Sequence, residues 1–472
     1  MTLTRRAMIA GLGSVPSLAF AAASPPRRLD IESRVLEVQG RAAKVYGLSV
    51  NGSFAGLSLL LGERFNTVLT NRASEPSLIH WHGLTPPAAF DGVPMLSQAP
   101  LAPGESYLYD FPVRQSGTHW MHSHLGLQEQ QLLAAPLIVR ETAVPVFDEQ
   151  EHVIMLHDFT FRDPQEILAE LRGGGGAHAG HAMDHSKMDP AMPDASGMTT
   201  GAGMMNDIAF DAFLANDRDL ADPETVQVER GGWVKLRIIN GAAATNMWID
   251  LGMLTGTLVA VDGHAILPIP GSRFPLAIAQ RADIRLRVPK QGGAFPIVFR
   301  PEGLGQRTGI VLATREARIE RLASTGDVAP ALDLSYERNM RAVAQVPDEP
   351  VSRSETLMLT GGDEGYAWGL NGKSSMHDTL FTVHRGERVE VLMHNMTGMA
   401  HPMHLHGHYF KVVAINGERT DGAVRDTVLV PPGESVSIAF DADNPGTWAF
   451  HCHHLYHMNA GMMGAMAYSD AA

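Results

Sequence analysis

The stretch Pro432-Gly433-Glu434-Ser435, Phe440, Gly446-Thr447-Trp448-Ala449-Phe450-His451-Cys452-His453 decides the fold, because its pattern occurs twice. Pro103-Gly104-Glu105-Ser106, Phe111, Gly117-Thr118, His122 and His124 stand at the same internal spacing in the first third of the chain. So many coincidences at one offset mark two copies of one structural unit. A second pattern raises the number to three. Gly62-Glu63-Arg64 is followed by Asn71 and Gly83, Gly231-Gly232-Trp233 by Asn240 and Gly252, and Gly386-Glu387-Arg388 by Asn395 and Gly407, all at identical spacing. Between these marks short β-branched runs alternate, as in Val389-Glu390-Val391, and Gly, Pro and Asn turns break them. With little helical periodicity, each unit reads as an all-β sandwich.

At 472 residues the chain exceeds one hydrophobic core, which agrees with several domains. Boundaries are expected near Ala143 to Gln150 and within Arg318 to Glu349. One segment is foreign to the repeats: residues 173–205 open on four glycines and hold His178, His181, His185, Met183, Met188, Met192, Met198, Met204 and Met205. It reads as a low-complexity insertion in the second unit whose soft ligands suit Cu(I), or as a plain loop. The glycine run is no phosphate loop, because no Gly-Lys-Ser/Thr follows it.

The net charge of −14 argues against a nucleic-acid partner, since phosphate binding needs a basic face. Residues 1–23 carry Arg5-Arg6, an apolar stretch and Ala21-Ala22-Ala23, the layout of an export signal. The paired arginines resemble a twin-arginine signal, and a periplasmic destination follows. No other segment is long and apolar enough to span a bilayer.

The chain has 1 Cys, which excludes disulfides within it and thiolate clusters, against 22 His and 24 Met. Eight of the histidines form four His-x-His pairs: His80/His82, His122/His124, His404/His406 and His451/His453. In extended chain, residues i and i+2 face the same way, so each pair offers two imidazoles to one site. A single buried histidine is ordinarily a packing residue. The middle unit is the control: Ile249 and Leu251 stand where the first has His80 and His82, so the scaffold does not need the imidazoles. Cys452, between His451 and His453, must face away from both. His401, at odd spacing from His404, together with His457 and Met462, can serve its sulfur. One Cys, two His and an axial Met form the ligand set of a blue-copper electron-transfer site.

His80-Trp81-His82-Gly83, His122-Ser123-His124, His401-Pro402-Met403-His404-Leu405-His406-Gly407 and His451-Cys452-His453 with His457 and Met462 resemble the four copper motifs of the multicopper oxidases. The likeness covers nearly the whole mature chain. It implies three consecutive cupredoxin-like Greek-key β-sandwich domains, at 28–143, 150–317 and 345–472, the second free of copper. It also implies four copper ions. The type 1 ion falls to His401, Cys452, His457 and Met462, and the type 2 ion to His80 and His404. The type 3 pair falls to His82, His122, His124, His406, His451 and His453. Asp91 matches an acid that supplies protons near the cluster; read alone, it is a turn residue in Asp91-Gly92-Val93-Pro94. Some relatives carry a Glu directly after the second type 1 His, where this chain has Met458, which leaves a second proton route without its residue. The implied activity couples four one-electron oxidations of a small reducing substrate to reduction of dioxygen. Phenols, aromatic amines and Cu(I) remain open as substrates, and Met399, two residues before His401, could relay an electron from Cu(I). The alternative is a periplasmic copper-sequestering protein. The chain is read as a monomer. Trp81, His119, His408 and His454 are read as packing or supporting residues beside the ligands.

Overall fold

The computed structural model describes residues 25–142, 147–173, 205–344, 350–362 and 365–469. The export segment, and all but the ends of the Met/His-rich segment, lie outside them. The described chain is almost entirely strand, arranged in six sheets that follow one another in the sequence as three pairs. The first pair has two four-stranded sheets between Arg27 and Arg140, the second a six- and a five-stranded sheet between Glu149 and Ala313, and the third a seven- and a five-stranded sheet between Arg353 and Tyr468. Each pair closes on apolar side chains, such as Phe65 and Trp81 in the first, with ring centroids 4.6 Å apart. The all-β reading therefore holds.

The repeated asparagine explains why three sandwiches carry the same mark. Asn71, Asn240 and Asn395 each end a strand that runs parallel to the opening strand of its unit, pairing with Ile31, Leu156 and Leu359. All three are fully buried. Each side-chain oxygen accepts the backbone N–H two residues on, from Ala73, Ala242 or Thr397. Each Nδ2 donates to one carbonyl in the following turn and to one on a neighbouring segment: Glu75 and Leu101, Thr245 and Leu276, Met399 and Val430. Losing the amide would strand buried carbonyls at about 1–3 kcal/mol each. The asparagine thus fixes the turn that leads into the ligand-bearing strand of the first and third units.

Those strands bring the histidine pairs together. In the first unit Ile79–His80 pairs with Gly117–Ser123, placing His80 opposite His122. In the third, His401–Leu405 pairs with Thr447–Cys452, placing His404 opposite His451. In every pair the second histidine stands just outside the strand that holds the first. In the middle unit Ile249 and Leu251 occupy the apolar core instead.

Candidate metal centre

The first and third units meet histidine against histidine. The His82 ring stacks on His404 with centroids 3.9 Å apart, and His80 lies 3.9 Å from His406. All eight paired histidines are buried. Their ring nitrogens fall into groups close enough to share an ion: His80, His82 and His404; His82, His122 and His453; His124, His406 and His451.

One nitrogen of each ring faces outward to a partner in most of the cage. His80 Nδ1 lies 2.8 Å from the carbonyl oxygen of Asp91, and His406 Nδ1 lies 2.9 Å from Oδ2 of the same residue. His404 Nδ1 faces the Asp426 carbonyl at 2.8 Å, and His451 Nδ1 the Cys452 carbonyl at 2.9 Å. His122 Nδ1 lies 2.8 Å from Glu129 Oε2. Five of the inward nitrogens have nothing to bond. His80 Nε2, His82 Nδ1, His122 Nε2, His404 Nε2 and His453 Nε2 are buried without hydrogen-bond partners. His124 Nε2 and His406 Nε2 approach His451 Nε2 at 3.3 and 2.9 Å. Burial first, then the neighbouring imidazoles, push His82, His122, His124, His404, His406 and His453 well below the usual histidine range, while burial takes His451 down to about 4. These seven rings are therefore neutral, and lone pairs face lone pairs in a buried cage. That arrangement suits bound cations, with outward hydrogen bonds fixing each tautomer. The donor set fits copper.

Cys452 turns the other way, as alternation requires. Its Sγ lies 3.5 Å from His401 Nδ1 and 3.8 Å from His457 Nδ1, and the two nitrogens are 3.2 Å apart. Their outer nitrogens are held too: His401 Nε2 is 2.7 Å from Thr397 Oγ1, in the turn stapled by Asn395, and His457 Nε2 is 3.5 Å from Asp207 Oδ2. His457 belongs to a short helix, Leu455–Asn459, and its own N–H donates to the capping His454 Nδ1. The strand rule thus reaches Cys452 but not His457. Met462 is fully buried in the same core, and its backbone is hydrogen-bonded to both Cys452 and His457. Met399 is buried there as well. Burial pushes the Cys452 thiol up, so a metal must displace its proton.

Asp91 enters the cage from a turn in which Gly92 has φ +78° and a Cβ would sit 1.8 Å from the Ile79 carbonyl oxygen. No side chain fits between that turn and His80. Trp81 packs behind the pair, 4.8 Å from Tyr109. His408 bonds the His406 carbonyl and the Tyr468 hydroxyl, as a supporting residue would. His119 is buried with neither nitrogen hydrogen-bonded, and burial takes it down to about 3.

Four residues at the two sites had escaped sequence reading. Glu129, five residues after His124, lies within 3.9 Å of His453 Nδ1 as well as beside His122, and burial and Asp158 push its carboxyl well above the usual range. Asp426 lies 3.0 Å from His82 Nε2. Asp207 reaches His454, His457 and the Tyr366 hydroxyl. Trp368 lies over the His457 ring at 4.0 Å.

Family models described as multicopper oxidase match residues 33–144, 150–319 and 348–472. Multicopper oxidase MmcO of Mycobacterium tuberculosis is 29% identical, with 94% of this chain and 85% of that protein covered. Copper resistance protein A of Escherichia coli is 28% identical, with 94% and 93% covered. Among solved structures, the laccase from Botrytis aclada superposes with a TM-score of 0.77 at 23% identity, covering 94% of this chain and 88% of that one. Two metal-ready sites on opposite faces of one strand, in a chain matched along nearly all of its length, place this protein in the multicopper oxidase family, oxidoreductases that use dioxygen.

Proposed function

We propose that the chain takes electrons singly from a small reducing substrate beside His457 and delivers them to dioxygen in the histidine cage, with Cu(I) as the preferred substrate and phenols or aromatic amines as further ones. The carrying observation is the placement of Cys452: its sulfur serves one site while its neighbours His451 and His453 serve the other. In this reading four copper ions would bind. His401, Cys452, His457 and Met462 would hold the type 1 ion, and His80 and His404 the type 2 ion. His82, His122 and His453 would hold one type 3 ion, and His124, His406 and His451 the other. Copper would supply one-electron uptake at the first site and four-electron reduction of dioxygen to water in the cage.

The protein's own part is connection and proton supply. From the Cys452 sulfur the path to the cage runs along its backbone to His453, and through its carbonyl to the His451 Nδ1–H. Glu129, its carboxyl raised by burial, holds a proton beside His122, and takes the place of the acid missing at Met458. Asp91 is the second acid, accepting from His406 at Oδ2. Asp91→Asn is expected to leave the visible absorption of the Cys452 site intact and to lower oxygen consumption about 10–100-fold, the usual size for an orienting partner of a metal ligand. Stopped-flow reoxidation of the reduced protein reads this directly.

The preference for Cu(I) is supported by where the Met/His-rich segment is rooted. On its near side Arg172 donates to the Asn459 carbonyl at 3.0 Å; on its far side Asp207 touches His454 and His457. Both described ends thus meet the helix that carries His457. Deleting 174–204 is expected to lower kcat/KM for Cu(I) about tenfold, equivalent to about 1.4 kcal/mol, while phenol oxidation changes little. Oxygen uptake with each substrate tests it. Equal losses would assign the segment no part in substrate choice, and copper binding without oxygen uptake from any reductant would favour a sequestering protein. The arginine pair and the apolar leader support export to the periplasm. Among the described residues no helix is long and apolar enough to cross a membrane.

A further inference from the structure

Among its described residues the middle sandwich contributes none of the histidines grouped in the cage, yet one of its side chains reaches it. Arg281 opens the strand Arg281–Arg287 of the second unit, and its side chain is fully buried. Its guanidinium makes contacts with all three sandwiches. Nε donates to the Thr118 carbonyl of the first unit at 3.0 Å, and Nη1 to the Ala279 carbonyl of its own at 3.0 Å. Nη1 also donates to Asp426 Oδ1 of the third at 2.7 Å, and Nη2 to Asp426 Oδ2, closing a bidentate pair. The space is reserved: Gly83, directly after His82, has φ +89°, and a Cβ there would stand 2.6 Å from Nη2.

Asp426 is consumed on its other side by the cage. Its Oδ1 faces His82 Nε2 at 3.0 Å and accepts the Thr427 hydroxyl at 2.9 Å, and its backbone carbonyl faces His404 Nδ1. His82 is the ring that needs such a partner. His80, His122 and His404 leave Nε2 unpartnered, whereas His82 leaves Nδ1, so its proton must sit on Nε2 for the inward lone pair to exist. A carboxylate accepts that proton and can donate none. An isolated buried carboxylate would be unstable; the bidentate arginine makes its anionic form permanent.

We infer that Arg281 is a positioning residue for the histidine cage: its bidentate pair holds the Asp426 carboxylate where it accepts from His82 Nε2, which leaves the lone pair of that ring on Nδ1. The inference rests on the cage being the copper cluster. It gives the middle sandwich a share in cluster assembly, through a bidentate ion pair rather than a ligand. A lysine keeps the charge but loses the fork, and Asp426→Asn removes the negative charge and turns an amide N–H toward a guanidinium N–H, so neither variant keeps the bidentate pair.

The test compares copper-loaded wild type, Arg281→Lys, Asp426→Asn and His82→Ala by chelator titration, with the visible band of the Cys452 site as internal reference. Arg281→Lys and Asp426→Asn are expected to release cluster copper at chelator concentrations about 10–100-fold lower than wild type, with the visible band unchanged. In copper-free wild type selectively labelled with 15N-histidine, the signal that His82→Ala removes is expected to be that of the Nε2–H tautomer. This measurement needs no variant to bind copper. An Nδ1–H tautomer in wild type overturns the inference, as does wild-type copper retention in both Arg281→Lys and Asp426→Asn; a lowered melting temperature alone would leave Arg281 a structural tie. If His82→Ala itself keeps full cluster copper, the cluster reading fails instead.

Discussion

Cys452→Ser removes the intense visible absorption of the copper-loaded protein and lowers oxygen consumption roughly 10³-fold or more, the scale on which an essential member of a catalytic unit is lost. Sulfur supplies the soft, strongly covalent ligand on which a blue site depends, and a serine hydroxyl is a harder and far less acidic donor. His401 and His457 stay within reach of the position, so a copper ion can still bind, though without the thiolate band. The backbone is undisturbed, because the Cys452 N–H and carbonyl hydrogen bonds to Met462 and His451 do not involve Sγ. The melting temperature of the copper-free protein therefore changes little, and circular dichroism checks it. A variant that remained blue and active would overturn the assignment of Cys452.

His82→Ala separates the two sites. It removes a ring shared between two of the nitrogen groups and the face stacked on His404, yet it leaves every residue around the Cys452 sulfur in place. The expected protein is blue but inert toward dioxygen, with turnover again down roughly 10³-fold. A reductant bleaches it once, and air does not restore the colour, whereas wild type recovers. Spectrophotometry through one cycle of reduction and aeration reads the outcome. Recolouring at the wild-type rate would remove the cage from the oxygen chemistry.

The paired histidines, Cys452 and the three-unit architecture were legible in the sequence for one reason: each is a local pattern. Spacing of two residues in extended chain sets a face, and the repeated asparagine marks where such chain begins. The same rule correctly turned Cys452 away from its neighbours. It had no purchase on Asp426 or Asp207, which come to His82 and His457 from 344 and 250 residues away, or on Arg281, which pairs with Asp426 from 145 residues away, all only through tertiary packing. Glu129 was nearer at hand, five residues past His124, but its turn gives no facing rule. Met458 had suggested a missing acid; a buried carboxyl, Glu129, stands beside His122 and His453 instead. Local pattern names candidate ligands, whereas the carboxylates and the guanidinium packed around them are properties of the assembled fold.

The pairing of Met403 with Cys452 and of His404 with His451 has a consequence for biogenesis. Both sites hang on the same two adjacent strands, one on each face. Sliding either strand by a single residue would reverse every side chain on it, handing the thiol to the cage and imidazoles to the blue site. No partly correct product exists: a slipped molecule forfeits both centres together. Colour therefore gauges strand alignment, and a cell that discards copper-free protein would be proofreading its hydrogen-bond ladder.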